Sequence, residues 1–195
     1  MPARFPAAII ENLEPLIEGG RYAIKRVVGE DVVVEADIFK DGHDIVAAAL
    51  KWRVVGQREW HESAMRFVDN DRWRGIFSVY ENATYEYSVE AWTDVFAGWQ
   101  HEYATKFNAG LANLTSEKLE GAALLMAAAK RARGTDARRL RELAEKMRTA
   151  DHSEVNRIAH LGELEVLMAT YAARSGATQY APAPRVIVDR VAARS

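Results

Sequence analysis

The 195-residue sequence contains no cysteine. Disulfide bonds, thiolate nucleophiles and zinc sites built on cysteine are therefore excluded, and a cytoplasmic location fits this absence. No segment approaches the roughly 18 consecutive apolar residues of a membrane-spanning helix, so we expect no membrane partner. The N-terminal segment MPARFPAAIIENLEP has no long apolar run after Arg4, and it does not resemble a signal peptide.

The chain also lacks a strong charge of either sign. Its 26 Lys and Arg residues nearly balance 28 Asp and Glu residues, which gives a formal net charge of −2. A protein that binds nucleic acid usually carries a clear basic excess, so no nucleic-acid partner is expected. Hydrophobic residues make up 49% of the chain, enough for a sizeable core.

Residues 31–92 alternate apolar and polar side chains with a period of two, which is typical of half-buried β-strands. Turn signals such as Asp41-Gly42 recur every ~8 to 12 residues, which favours an antiparallel β-sandwich. Further strands are predicted over 8–13, 22–28 and 60–67. The apolar faces of the first two runs are Val32, Val34, Ala36 and Ile38, then Val46, Ala48, Leu50, Trp52 and Val54.

From about Thr93 to Ser175 the apolar period becomes helical. Four helices are predicted. The first covers 93–108, and the second runs from a cap at Thr115 or Ser116 to Gly134. The third begins at a cap at Thr135, and the fourth runs from a cap at Ser153 to Gly176. The fourth helix should bury one stripe: Ile158, Leu161, Leu164 and Met168. This segment is expected to form a small helical bundle.

After the bundle, the apolar residues of Arg185–Val188 predict one more strand. A final strand after a helical block most simply returns to the earlier sheet. We therefore predict a β-sandwich domain over 1–95 plus 178–195, with a helical bundle over 96–177 inserted into it. The ending VDRVAARS has no closing cap, and we expect that the natural chain continues beyond it.

A search for catalytic chemistry finds little. There is no G-x-S-x-G nucleophile motif, and the glycine pair Gly19-Gly20 precedes a strand rather than a helix, so it is interpreted as a turn and not as a phosphate loop. Glu86 and Glu90 share a strand face, but ordinary solvent-facing alternation explains them better than a glycosidase pair. The basic run from Lys130 lies in a nearly neutral helical block and is interpreted as a solvated surface.

The five histidines are not spaced like metal ligands, and neither a catalytic residue nor a metal or other cofactor is predicted.

The segment DRWRGIFSVYENATYEYSVEAW, residues 71–92, is the richest in aromatic side chains. Strand alternation assigns four of its rings to the core: Trp73, Phe77, Tyr85 and Tyr87. Tyr80 and Trp92 fall on the polar faces instead. Together with Trp99, they are the candidate contacts for a sugar or for another protein surface.

Five blocks, in this order and spacing, resemble the N-terminal region of bacterial maltose-1-phosphate maltosyltransferases, the GlgE-type enzymes of the α-amylase superfamily. The resemblance is close over residues 8–100, looser over 93–180, and resumes at 185–190. The blocks are KRVVGE at Lys25–Glu30, VEAD at Val34–Asp37, DGHD at Asp41–Asp44, NDRW at Asn70–Trp73 and YEYSVEAW at Tyr85–Trp92.

This resemblance implies an immunoglobulin- or fibronectin-like sandwich interrupted by a helical insertion. It also implies an enzyme that transfers maltosyl units from α-maltose 1-phosphate to an α-1,4-glucan, by a retaining mechanism with an Asp nucleophile and a Glu acid/base. Those residues belong to a (β/α)8 barrel of about 250 residues, which this sequence does not contain. The implied partners are the catalytic domain of the same polypeptide, a second copy in a homodimer, and an α-glucan.

Two alternatives stay open at this point. A carbohydrate-binding module would place Tyr80, Trp92 or Trp99 against glucose rings. An unrelated interaction scaffold of strands and helices would need neither a sugar nor a catalytic partner.

Overall fold

In the computed structural model, which describes residues 7–190, all ten strands lie outside residues 94–174 and all five α-helices lie inside them. The chain divides into two compact units, one formed by the residues up to Thr93 and from Ser175 onwards, the other by Asp94–Arg174. The predicted ending over 191–195 lies outside the described residues.

The strands are β1 (Ile9–Glu14), β2 (Ile24–Val27), β3 (Asp31–Phe39), β4 (Val46–Val54), β5 (His61–Ala64), β6 (Arg66–Asp69), β7 (Arg72–Ser78), β8 (Thr84–Thr93), β9 (Thr178–Gln179) and β10 (Arg185–Asp189). The helices are α1 (Val95–Asn108), α2 (Thr115–Arg131), α3 (Gly134–Thr149), α4 (His152–Ala159) and α5 (Gly162–Thr170).

The strands form two sheets. The first has the order β1-β3-β7-β6, and all its pairs are antiparallel. The second has the order β2-β10-β8-β4-β5, with the short β9 also paired to β8. The late strand β10 runs parallel to β2 and antiparallel to β8, so residues that follow the helices in sequence pair with strands that precede them.

The apolar faces predicted from alternation are confirmed as the core of the first unit. The predicted set on β3 is buried in one cluster that also contains Ala48, Leu50, Phe77 and Tyr87, and the rest of the predicted set on β4 packs against it half-buried: Val46, Trp52 and Val54. The Phe77 ring lies 5.3 Å from the ring of Trp52 and 5.9 Å from that of Tyr87. Aromatic pairs at such distances add to the stability that area burial provides.

The strand predicted over residues 60–67 is wrong in one respect, because it is two strands. β5 pairs with β4 in the second sheet, whereas β6 pairs with β7 in the first. Met65 lies between them, buried in the core. The chain thus crosses from the edge of one sheet to the edge of the other. Apart from Met65, the residues of β5 and β6 are mostly exposed, so their burial pattern carries no information about which strand is the partner.

The second unit has its own apolar core. Its fully buried side chains include Leu125 of α2, Leu140 of α3 and Leu164 of α5. The predicted fourth helix is wrong as a continuous element, because it is two helices. α4 ends at Ala159, and Leu161 takes an extended conformation with φ −71° and ψ 123° before α5 begins.

The predicted caps of α2, α3 and α4 are also wrong, each by one or two residues. Asp94 caps α1 by accepting a hydrogen bond from the Ala97 amide, and Asp151 caps α4 by accepting one from the Glu154 amide. Neither α2 nor α3 has a side-chain cap. Aspartate and serine are about equally good caps, so composition alone does not select between neighbouring candidates. None of the helices in residues 7–190 combines the length and apolar character needed to cross a bilayer.

Candidate functional site

Trp99, one of the three candidate contact rings, is buried with 5% exposure in the core of the second unit. Its indole Nε1 donates a hydrogen bond to the Glu117 carbonyl oxygen at 2.7 Å, and its ring covers Gly121 of α2. Phe96 and Tyr103 flank it at helical spacing, with ring centroids 5.6 and 5.5 Å away. That i−3 and i+4 pattern could have identified Trp99 as a core residue from the sequence.

Trp92 is also largely covered, with 6% exposure. It shares the polar-looking face of β8 with Ser88, which is completely buried and donates a hydrogen bond to the Tyr180 carbonyl oxygen at 2.8 Å. The face of β8 that alternation assigns to solvent is therefore covered at Ser88 and Trp92. Trp92 and Trp99 leave little surface for a sugar or a protein partner.

Tyr80 has a different environment, because 73% of its surface is exposed. It occupies the connection between β7 and β8. The backbone amides of Tyr80 and Glu81 both donate to the Tyr85 hydroxyl, at 3.3 and 3.1 Å. Tyr85 is itself buried, so this connection is fixed to the core and holds the Tyr80 ring out toward solvent.

Tyr80 and Glu81 line two cavities. The first has a volume of about 420 Å³, with walls formed by Trp52, Phe77 and Tyr85. The second has a volume of about 650 Å³. We call the two cavities together the Tyr80 groove. Polar side chains at its edges are Gln57, His61, Ser78, Glu81, Asn82 and Arg190.

The carboxylates on β8 are held in ion pairs. Glu86 accepts a hydrogen bond from Arg53 at 2.6 Å, and Glu90 lies 3.4 Å from the Lys51 ammonium. These partners come from the neighbouring strand β4, so the two carboxylates serve sheet pairing. Within residues 7–190 no group of three or more His, Asp or Glu side chains is arranged to hold a metal ion.

A larger ionic network covers the outer face of the first sheet. Arg72 on β7 contacts Glu35 at 3.2 Å, Asp37 at 3.1 Å and Glu14 at 2.5 Å, and Arg74 contacts Glu35 at 2.5 Å. The hydrogen bond that Glu35 accepts from Arg74 holds the pKa of the Glu35 carboxyl group below its usual 4.5. A hydrogen bond from Asn12 and another from Arg72 hold the pKa of Asp37 below 3.8.

The network predicts a specific loss of stability in acid. Because both carboxyl pKa values are lowered by folding, their contribution is complete above the unfolded pKa values and is lost as pH falls through the folded ones. The free energy of unfolding should therefore decrease as pH falls from about 4.5. Arg72→Met should cost about 1–2 kcal/mol at pH 7 and flatten this decrease, as measured by urea unfolding at several pH values.

Arg58→Met is the matched control, because it removes the same charge from an exposed position. It should leave the decrease in the free energy of unfolding below pH 4.5 unchanged. If both variants gave the same profile, the network would not be the source of the acid dependence.

Comparison with known proteins gives a consistent result over the whole chain. The family described as alpha-1,4-glucan:maltose-1-phosphate maltosyltransferase, domain N/S, matches residues 6–190. Three relatives carry the name alpha-1,4-glucan:maltose-1-phosphate maltosyltransferase. They come from Myxococcus xanthus (42% identical over 100% of this chain), Rhodospirillum rubrum (37% over 93%) and Burkholderia pseudomallei (35% over 95%). The chain spans only 30%, 28% and 16% of those three relatives.

Proposed function

Because the chain belongs to the domain N/S family of alpha-1,4-glucan:maltose-1-phosphate maltosyltransferases, we propose that it is the non-catalytic N-terminal region of such an enzyme. One observation carries this proposal. The similarity spans residues 6–190, yet the chain corresponds to 30% or less of each of the three relatives. The remaining length of the relatives is sufficient for a barrel of about 250 residues.

The complete enzyme, in this proposal, transfers maltosyl units from α-maltose 1-phosphate to an α-1,4-glucan. Its catalytic domain belongs to the same polypeptide. The separation of strands from helices in the described chain supports the placement of the catalytic domain outside this chain. A (β/α)8 barrel alternates strands with helices, whereas here the strands and the helices occupy different units.

We propose further that the first unit is an immunoglobulin- or fibronectin-like sandwich over 1–95 plus 178–195, with the helical bundle over 96–177 inserted into it. The pairing of β10 with both β2 and β8 supports the insertion, since the chain enters and leaves the helices from one sheet. The core shared by the two sheets supports the sandwich.

Assembly of two enzyme copies is the role that we propose for the helical unit. On α2, the side chains of Leu119, Ala123 and Met126 are exposed and recur at i, i+4 and i+7, although the opposite face of α2 is already buried. A helix that is apolar on both sides is usually covered on both sides. The three residues, which we call the α2 stripe, fit a second copy of the chain, and twofold dimers are the commonest oligomers.

The α2 stripe predicts weak self-association of the 195-residue chain. The sedimentation coefficient should rise with concentration, with a dissociation constant on the order of 0.1 mM. Leu119→Glu should abolish the rise, because a carboxylate would be desolvated in the contact.

The matched control is Val166→Glu on α5, where the valine is 66% exposed but lies outside the stripe. This variant should associate as the parent chain does. Monomeric behaviour of the parent chain up to high micromolar concentration would count against the assembly role, as would association that Leu119→Glu does not change.

A further inference from the structure

We propose that Asp41-Gly42 is a site of spontaneous isoaspartate formation, a covalent rearrangement of the main chain that needs only water. Three observations carry the proposal: the residue pair itself, the exposure of its reacting groups, and an ion pair that spans the turn in which the two residues lie.

The reaction joins two groups that are neighbours in the chain. The Gly42 amide nitrogen attacks the side-chain carboxyl carbon of Asp41, a carbon–nitrogen bond forms, and the carboxyl hydroxyl leaves as water with the amide proton. Water then adds to the main-chain carbonyl carbon of the resulting succinimide ring and breaks its bond to the nitrogen. The water released equals the water consumed, so no oxidant, reductant or cofactor is needed. The main chain now runs through the Asp41 side chain and is longer by a methylene group.

The sequence favours this pair over every other aspartate and asparagine. Asp41 is the only Asp or Asn among the 195 residues that precedes a glycine. Glycine has no Cβ atom to hinder the approach of its nitrogen, and it adopts backbone conformations that other residues avoid. Gly42 has a φ of 96°, and a Cβ atom built there would meet no atom within 4 Å. No neighbouring residue therefore obstructs the succinimide ring on this side of the turn.

The structure leaves both reacting groups accessible. Residues 41–44 are exposed and lie in the connection between β3 and β4. Within residues 7–190, the Asp41 carboxyl group and the Gly42 amide make no hydrogen bond or ion pair. The two nearest aspartates, Asp37 and Asp44, both hold ion pairs, and both precede an isoleucine whose β-branched side chain hinders the same attack.

The modification is expected to weaken the ion pair that spans the turn. The Lys40 ammonium lies 2.5 Å from the Asp44 carboxylate and donates to the Thr93 hydroxyl at 2.6 Å, and the Lys40 side chain has no exposed surface. The added methylene group lies between Lys40 and Asp44 in the chain, so it shifts the carboxylate relative to a covered ammonium. Separating a buried charge from its partner is costly. Isoaspartate at position 41 should therefore loosen the β3–β4 connection.

Ageing of the 195-residue chain for several weeks in mildly acidic buffer at physiological temperature tests the proposal. Cleavage after glutamate gives the fragment 36–59, and electron-transfer fragmentation assigns isoaspartate to one of its three aspartates, Asp37, Asp41 or Asp44. Conversion at Asp41 should exceed that at either of the others by about tenfold or more, because only Asp41 precedes a glycine. The folded chain should convert at a rate within about tenfold of the chain unfolded in guanidinium chloride, because the turn is held by few contacts.

Asp41→Glu is the matched control, because it keeps the charge but would have to form a larger ring, in which the reacting atoms are less favourably placed. The aged variant should carry no rearrangement at position 41 and should keep the melting temperature of the fresh chain. The isoaspartate form of the parent chain, separated by ion-exchange chromatography, should melt about 2–5 °C lower.

Conversion confined to the unfolded chain would overturn the proposed site, as would equal conversion at Asp37 and Asp44. An isoaspartate form with the melting temperature of the fresh chain would overturn the proposed loosening of the turn.

Discussion

Gly121→Ala is expected to destabilise the helical unit by about 2 kcal/mol, although alanine is the better helix former. A Cβ atom at Gly121 would lie 2.1 Å from Cζ2 and 2.5 Å from Cε2 of Trp99. These are distances that no packed pair of carbon atoms maintains. Trp99 cannot retreat easily, because its Nε1 is hydrogen-bonded to the Glu117 carbonyl oxygen and its ring is in contact with Phe96 and Tyr103.

The expected loss in the free energy of unfolding is the cost of overpacking minus the gain in helix propensity. Overpacking a well-filled core costs about 1–3 kcal/mol and sometimes more, and a clash this close belongs at the upper end. The gain in helix propensity from glycine to alanine offsets about 1 kcal/mol of that cost. For a unit of this size, a net loss of about 2 kcal/mol lowers the melting temperature by about 10 °C, measurable by circular dichroism at 222 nm.

Gly98→Ala is the control for helix propensity. Gly98 lies within α1, its backbone is not in the left-handed region, and a Cβ there meets no atom within 4 Å. This variant should raise the melting temperature slightly, because only the propensity term remains. If Gly121→Ala raised the melting temperature in the same way, the contact between Trp99 and α2 would be incorrect.

Gly75→Val is expected to destabilise the first unit by about 3 kcal/mol. Gly75 lies on β7, and a Cβ there would be 2.9 Å from Cβ of Leu50 and 3.2 Å from Cγ of Met65. Leu50 belongs to β4 of the opposite sheet and is completely buried. Because Gly75 has no side chain, Leu50 of the facing sheet packs directly against its backbone. A valine at this position would force the two sheets apart.

A double-mutant cycle provides the control for this second prediction. Leu50→Ala alone should cost about 2–5 kcal/mol, because it opens a cavity. Adding Gly75→Val to Leu50→Ala should cost less than Gly75→Val costs alone, because the contact with Leu50 Cδ2 is gone and the valine fills part of that cavity, although the contact with Cβ of residue 50 remains. Additive effects in urea unfolding would show that Gly75 and Leu50 are not in contact.

Much of the first unit was predictable because alternation and burial are both local properties of a strand. Val32 to Ile38 and Val46 to Val54 show their buried faces directly in the sequence, and the structure confirms both faces. The crossing at Met65 was not predictable in this way. Strand pairing depends on residues distant in sequence, and the mostly exposed residues of β5 and β6 have no buried face that would indicate their sheets.

The site was harder to predict than the core, for a related reason. Tyr80 and Trp92 look alike in the sequence, as aromatic residues on otherwise polar faces. They differ in exposure, which is 73% for Tyr80 and 6% for Trp92, and local alternation does not determine whether a polar face is covered. On the same face as Trp92, Ser88 donates a hydrogen bond to the Tyr180 carbonyl oxygen, a contact between residues about 90 positions apart in the sequence. Trp99 did carry a local signal, its helical spacing from Phe96 and Tyr103. The cavities beside Tyr80 form from four separate segments, and no short sequence window contains them.

The central proposal is that this chain is the non-catalytic N-terminal region of a maltosyltransferase. Phosphate release from maltose 1-phosphate in the presence of an α-1,4-glucan tests that claim most directly, with the full-length Myxococcus xanthus relative as the positive control. The 195-residue chain should release no phosphate above the protein-free blank. Release by the purified chain at a rate that rises in proportion to its concentration would contradict the claim.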